Sequence, residues 1–160
     1  MRAPMQVLTI PFTLTDGGLR VGVLHRSDME AWQFLSGGAE DDETPIQAAR
    51  RESREEAGIP ADAPFYALDS RCSIPANIFR RDCARWGERR FVVPEYAFAV
   101  KARPERIVLS HEHTEIAWLD ESDAARRLTY DSNRTALWEL AERLRRGLLE
   151  ETRVLMEESP

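Results

Sequence analysis

The sequence RRESREEAG, residues 50–58, places three glutamates within five positions. In a helix, Glu52, Glu55 and Glu56 would share one face, because positions i, i+3 and i+4 lie together on a helix surface. Like charges at this spacing destabilise a helix by roughly a few tenths of a kcal/mol per pair. The stretch therefore indicates either an ordinary solvated helix face or a site at which a cation completes the cluster.

The residues around this stretch predict where the helix begins and ends. Thr44 can cap it, Pro45 suits its first position, and Gly58 supplies a left-handed residue after Ala57. The residues Ser36-Gly37-Gly38 ahead of the helix predict a turn or loop. The inward face of the helix is expected to carry Ile46, Ala49, Ser53 and Ala57.

The rest of the chain alternates between strand and helix patterns. Residues 5–15 and 19–26 predict two strands joined by a hairpin turn at Asp16-Gly17-Gly18. Strand patterns recur at 91–102 and 114–119, and a polar, basic loop is expected at 80–90. An amphipathic helix near the C-terminus is indicated by Leu137, Leu140, Ala141, Leu144 and Leu148. The interleaving predicts an α/β or α+β fold with helices covering a mixed sheet.

Length and charge exclude several classes of protein. The 160 residues fit one domain, 1–160, and the net charge of −6 argues against nucleic acid or an anionic membrane as a partner. No segment approaches the roughly 20 apolar residues of a membrane span, and the N-terminal residues lack a signal-peptide pattern. Cys72 and Cys83 fit reduced thiols better than a disulfide framework. We therefore expect a cytoplasmic protein, monomeric or homodimeric.

The glutamate stretch belongs to a longer array that resembles the Nudix box of the Nudix hydrolases. Ser53 is the one departure, since the family usually has an aliphatic residue there. The resemblance implies an α/β/α sandwich with a mixed β-sheet, in which the box forms a loop, a helix and a second loop. The matching positions are Gly37, Glu43, Arg51, Glu52, Glu55, Glu56 and Gly58.

The resemblance also implies a metal site. Glu52, Glu55 and Glu56 would bind the metal together with the backbone carbonyl of Ser36. The expected cofactor is Mg²⁺, with Mn²⁺ as the alternative, because Mg²⁺ takes carboxylate oxygens, waters and substrate phosphates as ligands. Such a cation offsets the carboxylate repulsion and activates water for attack on phosphorus.

Other box residues have supporting roles by the same resemblance. Arg51 would orient a glutamate without touching the metal, and Glu43 would brace the loop from the start of the helix. Gly37 and Gly58 would be structural.

A second acidic segment, SHEHTEIAWLD at residues 110–120, offers one more acid. The candidates are Glu112 and Glu115. His111 and His113 could form a zinc site with the two cysteines, but their spacing does not favour one.

Three segments resemble the branch of the family that removes pyrophosphate from dihydroneopterin triphosphate. They are residues 25–44, 110–120 and 130–140, and they carry Trp32-Gln33, Glu112-His113 and Ser132-Asn133-Arg134. This resemblance favours Glu112 over Glu115 as the additional acid.

The function implied is a metal-dependent pyrophosphohydrolase acting on a small triphosphate, with dihydroneopterin triphosphate or a nucleoside triphosphate as substrate. Arg26, Trp32 and Gln33 are the expected substrate-binding residues, although Arg26 could also be an ordinary exposed arginine. Trp86 could stack on the substrate ring or simply pack down. The alternatives are hydrolysis of ADP-ribose, nucleotide sugars or dinucleoside polyphosphates, and a non-catalytic nucleotide sensor.

Overall fold

The structure, a computed structural model, describes residues 1–156. A mixed sheet of seven strands forms the centre of this part of the chain. In chain order the strands are β1 (Arg2–Thr15), β2 (Gly18–Arg26), β3 (Trp32–Gln33), β4 (Leu35–Glu40), β5 (Phe65–Pro75), β6 (Val92–Lys101) and β7 (His113–Leu119). The helices are α1 (Pro45–Ala57), α2 (Cys83–Trp86), α3 (Glu121–Arg127) and α4 (Asp131–Arg146).

The long strand β1 organises the sheet. Its C-terminal end pairs with β2 in an antiparallel hairpin, in which Thr15 lies opposite Gly18 across the predicted turn. Its N-terminal half lies between β4, which is antiparallel to it, and β6, which is parallel. Strand β5 pairs with β6, and both β3 and β7 pair with β2. The predicted mixed sheet is therefore confirmed.

Both faces of the sheet are covered, as the sandwich prediction requires. Ile10 and Phe12 of β1 pack in a buried cluster with Leu137 and Leu140 of α4. Val7, which points to the opposite face, belongs to a second cluster with residues of α1. Alternate residues of one strand thus bury themselves against two different helices.

The prediction of a turn or loop at Ser36-Gly37-Gly38 is wrong. These residues belong to β4, where Ser36 pairs with Leu8 and Gly38 pairs with Gln6. A Cβ atom on Gly37 would lie 2.1 Å from the carboxylate carbon of Glu52, and one on Gly38 would lie 2.5 Å from Cζ of Arg2. The glycines therefore allow other groups to approach the strand closely, and they do not turn the chain.

Two smaller expectations also need correction. Leu148 lies outside α4, because Gly147 ends that helix in a left-handed conformation with φ 66°, and Leu148 is 40% exposed. The basic segment 80–90 is not entirely a loop, since it contains the short helix α2.

Among residues 1–156, no helix combines the length and the apolar character needed to cross a bilayer. Cys72 and Cys83 are free thiols, in agreement with the expectation that they form no disulfide.

Candidate active site

Helix α1 has the predicted bounds, and its ends are fixed by local hydrogen bonds. The Thr44 hydroxyl accepts from the Gln47 amide at 3.4 Å, while the Gln47 side chain accepts from the Thr44 amide at 2.9 Å. Gly58 ends the helix with φ 67° and donates its amide to the Arg54 carbonyl. These caps set the rotation of the helix, and hence the direction of each glutamate on it.

The three glutamates do not all point the same way. Glu52 and Glu56, one turn apart, line a cleft against β4, and Glu56 is only 3% exposed. The Glu55 side chain is 54% exposed and lies beside Arg51. The structure therefore brings Glu52 and Glu56 into the cleft and places Glu55 at its outer side.

Glu56 is the most deeply buried acid of the cleft. Burial, together with the neighbouring carboxylates of Glu52 and Glu112, raises its pKa to about 9, while the Ser36 backbone amide acts in the opposite direction. Its Oε2 atom is buried without a hydrogen-bond partner. Burial also raises the pKa of Glu52. The two carboxylates form a pair that is unfavourable when both are charged, unless a cation lies between them.

Arg51 links the box loop to the helix. Its guanidinium donates to both Glu43 oxygens, at 2.7 and 3.0 Å, and to the Gly38 carbonyl at 2.8 Å. It also donates to Glu52 at 3.0 Å and to Glu55 at 3.2 Å. The hydrogen bonds to Glu43 hold the pKa of Arg51 above its usual range and that of Glu43 below it. With every donor engaged by the protein, Arg51 orients Glu52 and leaves the cleft to the acids.

Glu43 braces the loop that precedes α1. Besides pairing with Arg51, its carboxylate accepts from the Glu40 amide at 2.8 Å, which closes the turn after β4. Ser36, the expected carbonyl ligand, lines the cleft, and its hydroxyl accepts from Gln6 at 2.9 Å.

The segment before β7 contributes one more acid to the cleft. Glu112 and His113 both line the cleft, whereas Glu115 lies farther along β7, opposite His25. His113 is 6% exposed, its Nδ1 atom is buried without a partner, and burial lowers its pKa. A backbone hydrogen bond joins this segment to α1, since the Ser110 amide donates to the Glu56 carbonyl at 3.0 Å.

The cleft has a volume of about 360 Å³ and combines residues from distant parts of the chain. It contains cationic, acidic and aromatic groups around the bare backbone of β4. Its lining residues are Arg2, Gln6, Arg26, Gln33, Ser36, Gly37, Gly38, Glu52, Glu56, Ile78, Phe79, Glu112 and His113.

Of the three expected substrate-binding residues, Arg26 and Gln33 line this cleft and Trp32 does not. Trp32 packs against the His25 ring at 4.9 Å and under the Arg127 guanidinium at 4.7 Å. Strand β3 points successive side chains to opposite faces, so Gln33 enters the cleft while Trp32 faces away.

Trp86 packs down onto the protein. Its indole N–H donates to the Arg2 carbonyl at 3.0 Å, and its ring meets Phe79 edge-on at 5.7 Å. Phe79 itself lines the cleft, so the aromatic wall comes from a residue that the sequence reading did not single out.

The Ser132-Asn133-Arg134 segment holds the start of α4 in place. The Asn133 side chain accepts from the Phe34 amide at 2.9 Å, next to Gln33. Arg134 pairs with Asp131 and with the Leu128 carbonyl. The hydrogen bond to Asn133 therefore fixes the chain beside Gln33, which lines the cleft.

These residues fit a hard divalent cation. Glu56 presents an unpartnered oxygen, Glu52 lies one turn away, and Glu112 is near enough to raise the pKa of both. Within residues 1–156, no three His, Cys, Asp or Glu side chains already converge as a metal cluster. The carboxylates would have to draw together around the ion, as like charges do only when a cation binds.

A profile of the NUDIX domain matches residues 5–143. The chain therefore belongs to the Nudix family, and it is a Nudix hydrolase. Members of this family generally use divalent metal ions.

Individual members of the family are similar to this chain over most of its length. The dihydroneopterin triphosphate diphosphatase of Escherichia coli strain K12 is 33% identical over 113 residues, which cover 70% of this chain and 75% of the relative. The structure of the E. coli dihydroneopterin triphosphate pyrophosphohydrolase superposes with a TM-score of 0.69 at 28% identity, covering 85% of this chain and 93% of the other. A Listeria monocytogenes str. 4b F2365 chain described as a NUDIX hydrolase gives a TM-score of 0.79 at 41% identity, with coverages of 92% and 98%.

Four cleft residues escaped the sequence reading: Arg2, Gln6, Ile78 and Phe79. They lie at the start of β1 and just beyond the end of β5, and each has an ordinary local pattern. Arg2 and Gln6 reach the glutamates because β1 pairs with β4. Ile78 and Phe79 reach them because the segment 76–91 packs against the start of β1.

Proposed function

We propose that this chain is a metal-dependent pyrophosphohydrolase of small triphosphates, with dihydroneopterin triphosphate as the first candidate substrate and nucleoside triphosphates as the second. One observation carries the proposal: Glu52 and Glu56, two of the four box glutamates, line the same cleft as Glu112, and this cleft also contains cationic and aromatic side chains. The E. coli enzyme named for dihydroneopterin triphosphate, which is similar to this chain in both sequence and structure, supports the choice of substrate.

Glu52, Glu56 and Glu112 are the residues we assign to the metal, with Glu55 and the Ser36 carbonyl as further ligands. When bound, a divalent ion of the Mg²⁺ type neutralises phosphate charge and lowers the pKa of a bound water. The protein's own contribution is to orient the ligands, since Arg51 donates hydrogen bonds to the carboxylates of Glu52 and Glu55.

Two other residues that line the cleft suit the organic part of the substrate. Phe79 offers an aromatic face, and Gln33 offers an amide that is 7% exposed and able to bond a ring edge. A site that hydrogen-bonds a heterocycle rejects analogues lacking those groups by large factors. We therefore assign ring recognition to Phe79 and Gln33 and withdraw Trp32 from that role.

Catalysis is favoured over nucleotide sensing by the state of the acids. A sensor has no need for a buried carboxylate such as Glu56, whose burial destabilises the protein unless a cation compensates. All four box glutamates are present, and Arg51 donates hydrogen bonds to three of them, Glu43, Glu52 and Glu55. The free thiols of Cys72 and Cys83 support the cytoplasmic location that we also propose.

The test compares kcat/KM with Mg²⁺ for dihydroneopterin triphosphate, the nucleoside triphosphates, ADP-ribose and a dinucleoside polyphosphate. Pyrophosphate and phosphate are quantified separately. We expect the pterin triphosphate to be preferred and to release pyrophosphate. A preference for ADP-ribose or the dinucleotide would contradict the substrate assignment, and no turnover of any of them with metal would contradict the enzymatic proposal.

A further inference from the structure

Arg2 is a cation of the cleft that has no acidic partner in the described part of the chain. Its Nη2 atom donates to the neutral Gln6 side chain at 2.6 Å, and its guanidinium carbon lies 4.7 Å from the centre of the Phe79 ring. Its Nε atom is buried with no hydrogen-bond partner. The side chain thus has charge and donor capacity that the protein leaves unused.

Arg26, the arginine that the sequence predicted to bind phosphate, is in a different state. It makes a bidentate pair with Asp28, with N–O distances of 2.7 and 2.6 Å. Binding a phosphate there would require this pair to break or to accept a second anion. Of the two arginines lining the cleft, Arg2 is therefore the one available to an anionic ligand.

The surrounding residues hold Arg2 in place. Gly38 leaves room for the guanidinium, because a Cβ atom there would lie 2.5 Å from its carbon. The Trp86 indole donates to the Arg2 carbonyl, and the Phe79 ring supports the guanidinium plane. A planar, pre-positioned fork of donors is suited to bidentate binding of phosphate oxygens.

A structural role is the alternative, in which Arg2 offsets the charge of the nearby acids. Glu52 is the one acid that acts on Arg2, and its charge raises the pKa of that arginine. Burial has the larger effect, so the pKa of Arg2 is lowered overall. An unpartnered guanidinium donor in a buried place is unfavourable, and an incoming phosphate would satisfy it.

We propose that Arg2 binds a non-bridging phosphate oxygen of the substrate, in the cleft that Glu52, Glu56 and Glu112 also line. This inference rests on the proposed function for the identity of its substrate. Arg2 is a binding residue, so its loss should raise KM and weaken phosphate binding far more than it lowers kcat.

The experiment measures kcat and KM for the best triphosphate, and the inhibition constant of inorganic pyrophosphate, in Arg2→Gln and Arg2→Lys. We expect Arg2→Gln to raise KM and the inhibition constant about 10- to 100-fold, and Arg2→Lys to have a smaller effect. The matched control is Arg71→Gln, since Arg71 lies over the Tyr96 ring at the same 4.7 Å but outside the cleft. It should leave all three constants unchanged.

A second variant reaches the same guanidinium without removing it. Gly38→Ala should displace Arg2 and reproduce most of the Arg2→Gln effect on pyrophosphate inhibition. In the double variant the two effects should not add, because the new methyl group no longer meets a guanidinium. Additive effects would show that Gly38 acts independently of Arg2 and would count against the proposal.

Failure of this inference can be separated from failure of the proposed function. An active wild type whose pyrophosphate inhibition is unchanged by Arg2→Gln would overturn the role of Arg2 alone. If the wild type hydrolyses nothing, the role of Arg2 can still be tested by calorimetric titration of pyrophosphate with Mg²⁺ into wild type and Arg2→Gln. Equal Kd values would overturn the role of Arg2 in phosphate binding, and weaker binding to the variant would support it.

Discussion

At the scale of single residues, Glu112 and Glu115 lie three positions apart yet have different surroundings. Glu112 lines the cleft and raises the pKa of Glu52 and Glu56. Glu115 is an exposed residue of β7 opposite His25. The difference arises because the chain turns into β7 between them, which directs only the first acid towards α1.

We predict that Glu112→Gln lowers kcat by about 10²–10⁴-fold, as expected when one metal ligand or general base is lost. Glu115→Gln should leave kcat within about 2-fold. Steady-state kinetics at saturating Mg²⁺ measure both. Equal and small effects from the two substitutions would show that this segment has no chemical role.

At the scale of elements, helix α1 is well formed at both ends but carries an unfavourable buried face. Its capping box and left-handed glycine stabilise it locally. Glu52 and Glu56, in contrast, have raised pKa values, because burial disfavours their charged forms and neighbouring carboxylates add to this effect. The helix therefore trades stability in the metal-free protein for affinity towards a cation.

We predict that Glu56→Gln abolishes turnover and stabilises the metal-free protein by about 1–3 kcal/mol at pH 7. The sign follows from the raised pKa: an acid that resists ionisation in the folded state favours unfolding above the ordinary carboxyl pKa. Denaturation in a chelator measures the gain, and Glu55→Gln, at an exposed position, should give little. Mg²⁺ should raise the Tm of the wild type and not that of Glu56→Gln. A near wild-type kcat in Glu56→Gln would refute the metal-site mechanism.

At the scale of the whole molecule, α4 packs over the sheet and covers a second buried acid, Glu95 of β6. Glu95 lies opposite Cys72 of β5 and beside Gln6 of β1 in the sheet register, and it is 6% exposed. Burial raises its pKa to about 7, against a smaller opposite effect from the Ser132 hydroxyl. Its environment exists only because β5, β6 and α4 meet there.

We predict that Glu95 makes the protein less stable as the pH rises from about 4.5 to 7. Over this range the unfolded chain loses the proton first, which favours unfolding. Glu95→Gln should remove up to about 3 kcal/mol of this loss at pH 8, and should change stability much less at pH 4.5. Urea denaturation across this range gives the slopes, and Glu115→Gln is the control that should retain the wild-type slope. Parallel slopes for wild type and Glu95→Gln would contradict the prediction.

Features that depend on neighbours along the chain follow from the sequence alone. The bounds of α1, the turn between β1 and β2 and the α+β class all follow from caps, glycines and periodicity within a few residues. The box spacing identified the family before any fold was known, because the cluster of acids is arranged by one helix.

The architecture of the cleft, in contrast, depends on contacts between distant segments. In the folded chain, Ser36-Gly37-Gly38 lie in the strand β4, and Trp32 faces away from the cleft. Phe79 and Arg2 line the cleft, whereas Glu55 lies outside it, apart from Glu52 and Glu56. No local pattern carries this information, because burial and charge pairing depend on which distant segments lie against a residue. Arg2 and Glu52 are fifty positions apart, and they come near each other because Gly38 and Gly37 give each of them bare backbone to pack against.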